Sequence, residues 1–195
     1  MDADQVARLR TLLESSPWFA RTRAFARALR GSAPRTPGGL LIVGTPEVEP
    51  WHLTAHLQQE SDLAGIPGLT PTLVRWAPPP GAPPHLRIGL TRLEEAGRGE
   101  TVFVVAPDAA PVPLLERVHD ARRVGATVLA LDQGDPELDD IANEFLNVEP
   151  GQAPVSFDAA QHLVSAVAGE PAPSRAGLRS RLARLLDAVS GTPAD

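Results

Sequence analysis

Residues 102–132, "VFVVAPDAAPVPLLERVHDARRVGATVLALD", contain the pattern that decides the fold. The stretch opens with a continuous apolar run of strand length and closes with a second one, "ATVLAL". Between them lie a short loop, "APDAAP", and a segment whose apolar residues recur at helical spacing. Because an apolar strand without alternation is typical of a strand covered on both faces, this unit predicts two parallel strands joined by a helix.

The same alternation extends in both directions along the chain. Further strands are predicted at "LLIVG", "TLVRW" and "FLNV", and helices at residues 46–65, 85–97, 111–124, 136–142 and 157–168. Five strands that alternate with helices predict an α/β fold with three layers and a doubly wound, parallel, five-stranded sheet. Since crossovers are right-handed, we expect the flavodoxin-like strand order 2-1-3-4-5.

Extra helices are predicted at both ends, so the chain divides into a helical segment (1–35), an α/β domain (38–169) and an amphipathic helix (170–195). Near the N-terminus, a first helix is expected to end near Ser15, and Ser16 and Pro17 have the residue types that begin a second. The second helix carries an apolar stripe of Trp18, Phe25 and Leu29.

The C-terminal segment has its own apolar stripe at helical spacing, formed by Leu178, Leu182, Leu185, Leu186 and Val189. Such a stripe covers either its own domain or a second copy of the chain. Together with the stripe of the second helix, it leads us to expect a homodimer built partly by the terminal helices.

The composition narrows the possible functions. The chain has 195 residues and no cysteine, which excludes disulfides, thiolate metal sites and a cysteine nucleophile. All 18 basic residues are arginine, and residues 36–169 carry most of the acidic charge behind the net charge of −6. A basic stripe at Arg23, Arg27 and Arg30 is too small a footprint for nucleic acid on such an acidic body. No apolar run approaches membrane-span or signal-peptide length, so we expect a cytoplasmic protein without a membrane partner.

The strand ends predict where a ligand would bind. In an open parallel sheet, ligands bind beyond the carboxyl ends of the strands, where the chain changes direction. The residues at or just beyond those ends are Gly44, Thr45, Ala106, Asp108, Asp132 and Glu149. An acid-lined pocket of this kind would prefer a neutral or cationic group, or the surface of a protein partner, over a phosphate ester.

Several of these motifs resemble the sugar isomerase (SIS) domain family. "GLLIVGT" resembles the family's first strand and its Gly-Thr/Ser turn. "RRVGATVLAL" resembles the helix end that precedes an apolar strand, and "PELDDIANEFL" the segment that reads Ser-Pro-Leu-Ala-x-x-Ala-Asp in the family. The resemblance covers about residues 38–169, and it implies a phosphosugar as ligand.

The family's phosphate loop departs most from the pattern. It typically reads Ser-x-Ser-Gly-x-Thr, and the matching positions 106–111 read "APDAAP". Every hydroxyl is missing, and Pro107 and Pro111 have no N–H to donate. Asp108 adds a negative charge where a phosphate dianion would sit. The resemblance therefore implies a SIS-like domain with a degenerate phosphate site.

Two further sets of residues are candidates for chemistry. The family's isomerases use a glutamate after the last strand as a base, and Glu149 stands near that place, although "PGQAPVSFDA" matches the family poorly there. His52, His56 and Glu60 occur at i, i+4 and i+8 of a predicted helix and could present metal ligands on one face, but the HExxH pattern is absent. We expect no metal and no cofactor, since the chain has neither a Walker loop nor a Gly-x-Gly-x-x-Gly turn after a strand.

Three functional hypotheses remain open from the sequence. The favoured one is a non-catalytic, SIS-like homodimer with a regulatory, sensing or scaffold role. The alternative is a phosphosugar isomerase or phosphosugar-binding protein with an atypical site. A plain interaction protein, whose crevice is filled by side chains, is the third.

Overall fold

A computed structural model describes residues 16–170, which form one parallel sheet between two layers of helices. The strands are β1 (Leu40–Val43), β2 (Pro71–Val74), β3 (Thr101–Ala106), β4 (Thr127–Asp132) and β5 (Glu144–Asn147). They are ordered β2-β1-β3-β4-β5, and every neighbouring pair is parallel. The predicted fold class and strand order are therefore confirmed.

Six α-helices connect or flank the strands within the described residues. They are α1 (Pro17–Gly31), α2 (Trp51–Ala64), α3 (Thr91–Glu94), α4 (Val112–Arg123), α5 (Pro136–Ile141) and α6 (Phe157–Ala168). Short 3-10 helices occur at Pro67–Leu69 and Pro84–Leu86. Between residues 16 and 170, no helix is long and apolar enough to cross a membrane.

The core divides into two halves because alternate residues of each strand point to opposite faces of the sheet. On one face, α1, α2 and α6 cover a set that includes Leu40, Ile42, Phe103, Val105 and Leu131. On the other face, α3, α4 and α5 cover a set that includes Leu41, Val43, Val102, Val104 and Ala130. Both sets are almost fully buried, which explains why the strands read as continuous apolar runs.

The predicted helix at residues 85–97 is wrong for most of its length. Only Thr91–Glu94 is α-helical, after the 3-10 turn at Pro84–Leu86. The intervening residues instead extend the sheet beside β2: the N–H of Arg75 donates to the carbonyl of Ile88 at 2.8 Å, and Arg75 pairs with Gly89. Pairing with the sheet satisfies backbone groups that a helix would otherwise have satisfied.

Helix α1 begins as its sequence indicates. The hydroxyl of Ser16 accepts a hydrogen bond from the N–H of Phe19, and Pro17 is the first helical residue. Its apolar stripe lies inside this chain's own core, where the ring of Phe25 packs 5.6 Å from that of Phe103. Trp18 is only partly buried against this core, and the expected role of the stripe in a dimer stays a prediction. The helices predicted before Ser16 and after residue 170 lie outside the described residues.

Candidate functional site

The loops after β3 and β4 enclose a cavity at the carboxyl edge of the sheet. Its volume is about 270 Å³. The residues that line it are Pro107, Asp108, Ala109, Gln133, Gly134, Asp135 and Pro136. Of the predicted ligand-binding residues, Asp108 lines this cavity and its side chain is exposed. Ala106 and Asp132 form the last, buried positions of β3 and β4 beside it.

Asp135 fastens the two loops of this cavity together. Its Oδ2 accepts a 2.7 Å hydrogen bond from the N–H of Ala110, in the loop after β3. Its Oδ1 accepts hydrogen bonds from the N–H groups of Glu137 and Leu138 and so caps α5. One carboxylate therefore accepts hydrogen bonds both from a backbone N–H of the "APDAAP" loop and from the first N–H groups of α5.

The remaining donors of that loop are few. Pro107 and Pro111 have no N–H, and a further proline, Pro113, occupies the second position of α4. The structure thus shows what the sequence implied, a loop after β3 with neither hydroxyls nor a full set of backbone donors.

Asp132 is fully buried at the end of β4. Its Oδ1 accepts hydrogen bonds from the N–H groups of Gly134 and Asp135, at 2.6 and 3.2 Å. Burial is the main reason why the pKa of its carboxyl group is raised to about 7; the two N–H donors lower it, and the nearby Asp139 raises it. Asp132 therefore holds the turn of residues 133–135, which lines the cavity, and its pKa lies near neutral pH.

The loop after β1, at the same edge of the sheet, is held in place by contacts within the chain. The loop after β1 folds back so closely that a Cβ on Gly44 would overlap the carbonyl oxygen of Val48. The indole N–H of Trp76 donates to the carbonyl of Gly44 at 2.8 Å. Thr45 is buried, and its hydroxyl has no hydrogen-bond partner among the described residues. Gly44 and Thr45 therefore belong to a tightly folded loop and do not line the cavity between the loops after β3 and β4.

A bidentate ion pair holds the same loop. The Nε and Nη2 atoms of Arg75 donate to the two carboxylate oxygens of Glu49 at 2.5 and 2.6 Å. Arg75 directly follows β2 and Glu49 lies two residues before the start of α2, so the pair ties the β1–α2 loop to the edge of the sheet.

Glu149, the candidate base, lies near the cavity but outside its lining. Its side chain packs 3.5 Å from the position of a Cβ on Gly134, which does line the cavity. Its carboxylate accepts a hydrogen bond from the side chain of Gln152. The partners shown for this carboxylate are therefore structural, and its catalytic role stays a prediction.

Three histidine rings gather where α2 packs on α6. His52 and His56 stack in parallel with centroids 5.5 Å apart, and the ring of His162 stands edge-on 4.4 Å from that of His56. Glu60, the third residue of the considered metal site, instead packs against Gly169. Within residues 16–170, no three histidine or acidic side chains are placed to hold a metal ion.

Sequence reasoning missed the residues that fasten this edge of the sheet. Asp135, directly before Pro136 and two residues before Glu137, has the pattern of a helix N-cap and could have been found that way. The contact of Trp76 with Gly44 joins residues 32 positions apart, so no local pattern could have indicated it.

Comparison with solved structures identifies the fold. The chain superposes with a TM-score of 0.50 on the sugar isomerase domain of an RpiR transcription factor from Sphaerobacter thermophilus, at 17% identity, with 96% of this chain and 94% of that one covered. The chain has the SIS-domain fold. A candidate phosphosugar isomerase from Silicibacter pomeroyi DSS-3 matches with a TM-score of 0.56 and 16% identity. A candidate sugar binding protein from Salmonella typhimurium LT2 matches with 0.57 and 14%.

The matches have different extents. The last two cover 93% of this chain but only 52% of their own chains, so the SIS fold described here spans about half of each. No family model and no curated protein sequence matches the chain. The resemblance seen in the motifs is thus confirmed as a likeness of fold.

Proposed function

We propose that this SIS-fold chain is a non-catalytic domain with a sensing, regulatory or scaffold role, and that it does not hold a phosphosugar. The observation that carries the proposal is the hydrogen bond from the N–H of Ala110 to the carboxylate of Asp135. A loop that binds phosphate needs free donors. Here an internal carboxylate takes one of them.

The charges at the cavity support the same conclusion. Asp108 and Asp135 both line it, and no arginine is among its lining residues. A phosphate dianion between two carboxylates would meet repulsion of ~1 to several kcal/mol for each close pair, depending on the local dielectric. The ligand class that fits is neutral or cationic, such as a polyol or an amine, or a protein surface.

The test is a thermal-shift and calorimetric titration with matched pairs of compounds. Glucose and glucose 6-phosphate form one pair, and a heptose phosphate, nucleotides, polyols and amines extend the panel. A ligand present at one hundred times its Kd stabilises the folded state by about 2.7 kcal/mol, so millimolar concentrations would reveal even modest affinities. We expect no saturable stabilisation by any sugar phosphate.

A saturable shift with glucose 6-phosphate and none with glucose would overturn the proposal in favour of a phosphosugar-binding domain. If turnover of the phosphate were also detected, and were lost in Glu149→Gln, the protein would be an atypical isomerase. Stabilisation by a polyol or an amine would support a sensor. Silence across the panel would support the scaffold role.

We further propose that the chain forms a homodimer through its C-terminal segment. The support is the apolar stripe of residues 178–189, since most of the stripe of α1 is buried within its own chain. Light scattering on the full chain at micromolar concentration should give the mass of a dimer. Leu182→Glu should reduce it to that of a monomer, and a monomeric mass for the unaltered chain would contradict the proposal.

A further inference from the structure

We propose that His52, His56 and His162 form a proton-operated latch between α2 and α6, closed while the rings are neutral and opened by mild acid. His52 and His56 lie in the N-terminal half of α2, beside a cavity that is distinct from the one between the loops after β3 and β4. This second cavity has a volume of about 140 Å³ and lies between α2 and α6.

The geometry of the rings suits neutral imidazoles. All three pairs of centroids lie within 5.6 Å of each other, with His52 parallel to His56 and His162 edge-on to both. Stacked and edge-on contacts between neutral aromatic rings are favourable. Two imidazolium ions at the same separation would repel each other, so each further proton favours movement of the rings apart.

One nitrogen of the cluster has nowhere to donate. The Nδ1 atom of His162 is buried and has no hydrogen-bond partner among the described residues. An unprotonated nitrogen is tolerated at such a position, whereas an imidazolium carries an N–H on both nitrogens and each needs an acceptor. Protonating His162 therefore requires a new acceptor or a water molecule beside this buried nitrogen, and either would disturb the packing of α2 on α6.

The titratable groups that face the half-buried rings of His56 and His162 come from both helices. Burial is the main reason why the pKa values of His56 and His162 lie below the ordinary histidine value. His52 lowers both further, and His162 also lowers that of His56. Asp158, one turn before His162 on α6, acts in the opposite direction. The pKa values stay lowered because burial and the like-charged neighbours outweigh this one carboxylate.

Linkage gives the direction of the effect. A histidine whose pKa is lower in the folded state binds fewer protons there than in the unfolded chain. The stability it contributes is present above the unfolded value of 6.5 and is lost as pH falls through that value toward the folded one. The latch is thus closed at neutral pH and weakened in mild acid.

Opening the latch would act on the edge of the sheet. His52 is the second residue of α2, directly after the loop of residues 44–50 that covers the end of β1. The same loop carries Glu49, which is paired with Arg75. A shift of the start of α2 would therefore displace a loop at the edge where the proposed ligand or partner binds.

The first experiment follows each imidazole by NMR. The Cε1–H signals of the five histidines are titrated from about pH 8 to 5 in the presence of a chelator, so that metal binding cannot mimic protonation. We expect His56 and His162 to titrate below the ordinary value, with amide shifts that spread along α2 and into the loop of residues 44–50. The indole signal of Trp51, which stacks 4.4 Å from His52, should move with them.

The second experiment compares variants at two pH values. The melting temperatures of the unaltered chain, His162→Gln, His56→Gln and His119→Gln are measured near pH 7.5 and pH 5.5. His119 is exposed on α4, on the other side of the sheet, and serves as the matched control. Asp132 is unchanged in all four proteins, so its own titration cancels in the comparison.

We expect the loss of melting temperature in acid to shrink by several degrees in His162→Gln and His56→Gln and to persist in His119→Gln. An equal loss in all four proteins would overturn the latch, as would a His162 that titrates above the ordinary value. If His162→Gln did not fold, the NMR titration of the unaltered chain would decide by itself. None of these outcomes depends on whether the cavity between the loops after β3 and β4 binds a sugar phosphate.

Discussion

The carboxyl group of Asp139 on α5 lies within hydrogen-bonding reach of that of Asp132 at the end of β4. The Oδ2 of Asp132 and the Oδ1 of Asp139 are both buried, and neither accepts a hydrogen bond from another donor in residues 16–170. Two ionised carboxylates can only accept, so the two groups bond to each other only when they share a proton. This requirement adds to burial, which is the main reason why the pKa of Asp132 is raised.

Asp132→Asn should remove this proton requirement. The folded pKa of Asp132 is raised from 3.8 to about 7, so the folded state binds the extra proton between these values and its stability falls as pH rises through them. The amide keeps an oxygen for the N–H groups of Gly134 and Asp135 and can donate to Asp139 without a proton. We expect the variant to be more stable than the unaltered chain near pH 7.5. Its stability should also no longer fall as the pH rises toward 7.

Urea unfolding at about pH 5 and pH 7.5 measures the effect. One pKa unit corresponds to about 1.4 kcal/mol, so the difference between the two proteins should change by a few kcal/mol across this range. Asp108→Asn, at an exposed carboxylate on the same edge of the sheet, is the matched control. A fall with pH that persisted unchanged in Asp132→Asn would contradict the assignment.

Gly44→Ala should destabilise the protein by forcing the β1–α2 loop outward. The added Cβ would overlap the carbonyl oxygen of Val48 and lie 2.7 Å from the Cδ of Pro50. Overpacking of this kind costs about 1–3 kcal/mol or more. Gly97→Ala is the control, because a Cβ there meets nothing within 4 Å. Chemical denaturation should show a lower midpoint for the first variant only, and equal midpoints for both would show that the loop yields freely.

The ion pair of Arg75 and Glu49 should contribute measurable coupling. Its two side chains are only 19% and 32% exposed, and its geometry is bidentate. A double-mutant cycle with Arg75→Gln and Glu49→Gln should give about 1 kcal/mol at low salt. The control is the Arg123–Asp120 pair, which is about 70% exposed with its atoms 3.5 Å apart, and it should give almost none. Equal coupling in the two pairs would mean that the β1–α2 loop is held in another way.

The sheet could be predicted because its signals are local. Each central strand reads as an unbroken apolar run, and β1 and β3 are buried at every position. The helix at 85–97 was predicted wrongly because its apolar residues recur at helical spacing, while part of the segment pairs with the sheet beside β2. The spacing does not reveal this pairing, since Arg75 is a neighbour in space and not in sequence.

The site could be predicted only in part. The loop of residues 106–111 was found because its residue types oppose phosphate binding at each position. The hydrogen bond from Ala110 to Asp135 spans 25 positions, and the approach of His162 to His56 joins two helices, so neither had a signature in the sequence. Contacts between side chains on different loops depend on the three-dimensional fold. The ends of the strands could therefore be located from the sequence, but the residues that make contacts there could not.

Replacing Asp135 should loosen both of the loops, after β3 and after β4, that form the cavity. Asp135→Ala removes the cap of α5 and the acceptor for Ala110, whereas Asp135→Ser keeps a capping hydroxyl but is too short to keep both contacts. Loss of a cap costs about 0.5–2 kcal/mol, so we expect the alanine variant to be the less stable of the two.

The amide of Ala110 reports the bond between the loops directly. Its hydrogen exchange should accelerate by about tenfold or more in both variants, because each frees the same N–H. Ser156→Ala removes the cap of α6, which lies away from the cavity, and should leave that amide protected while lowering stability by a similar amount. If the amide of Ala110 stayed protected in Asp135→Ala, the carboxylate would not be what occupies the donor of the degenerate loop, and the main argument against phosphosugar binding would fall.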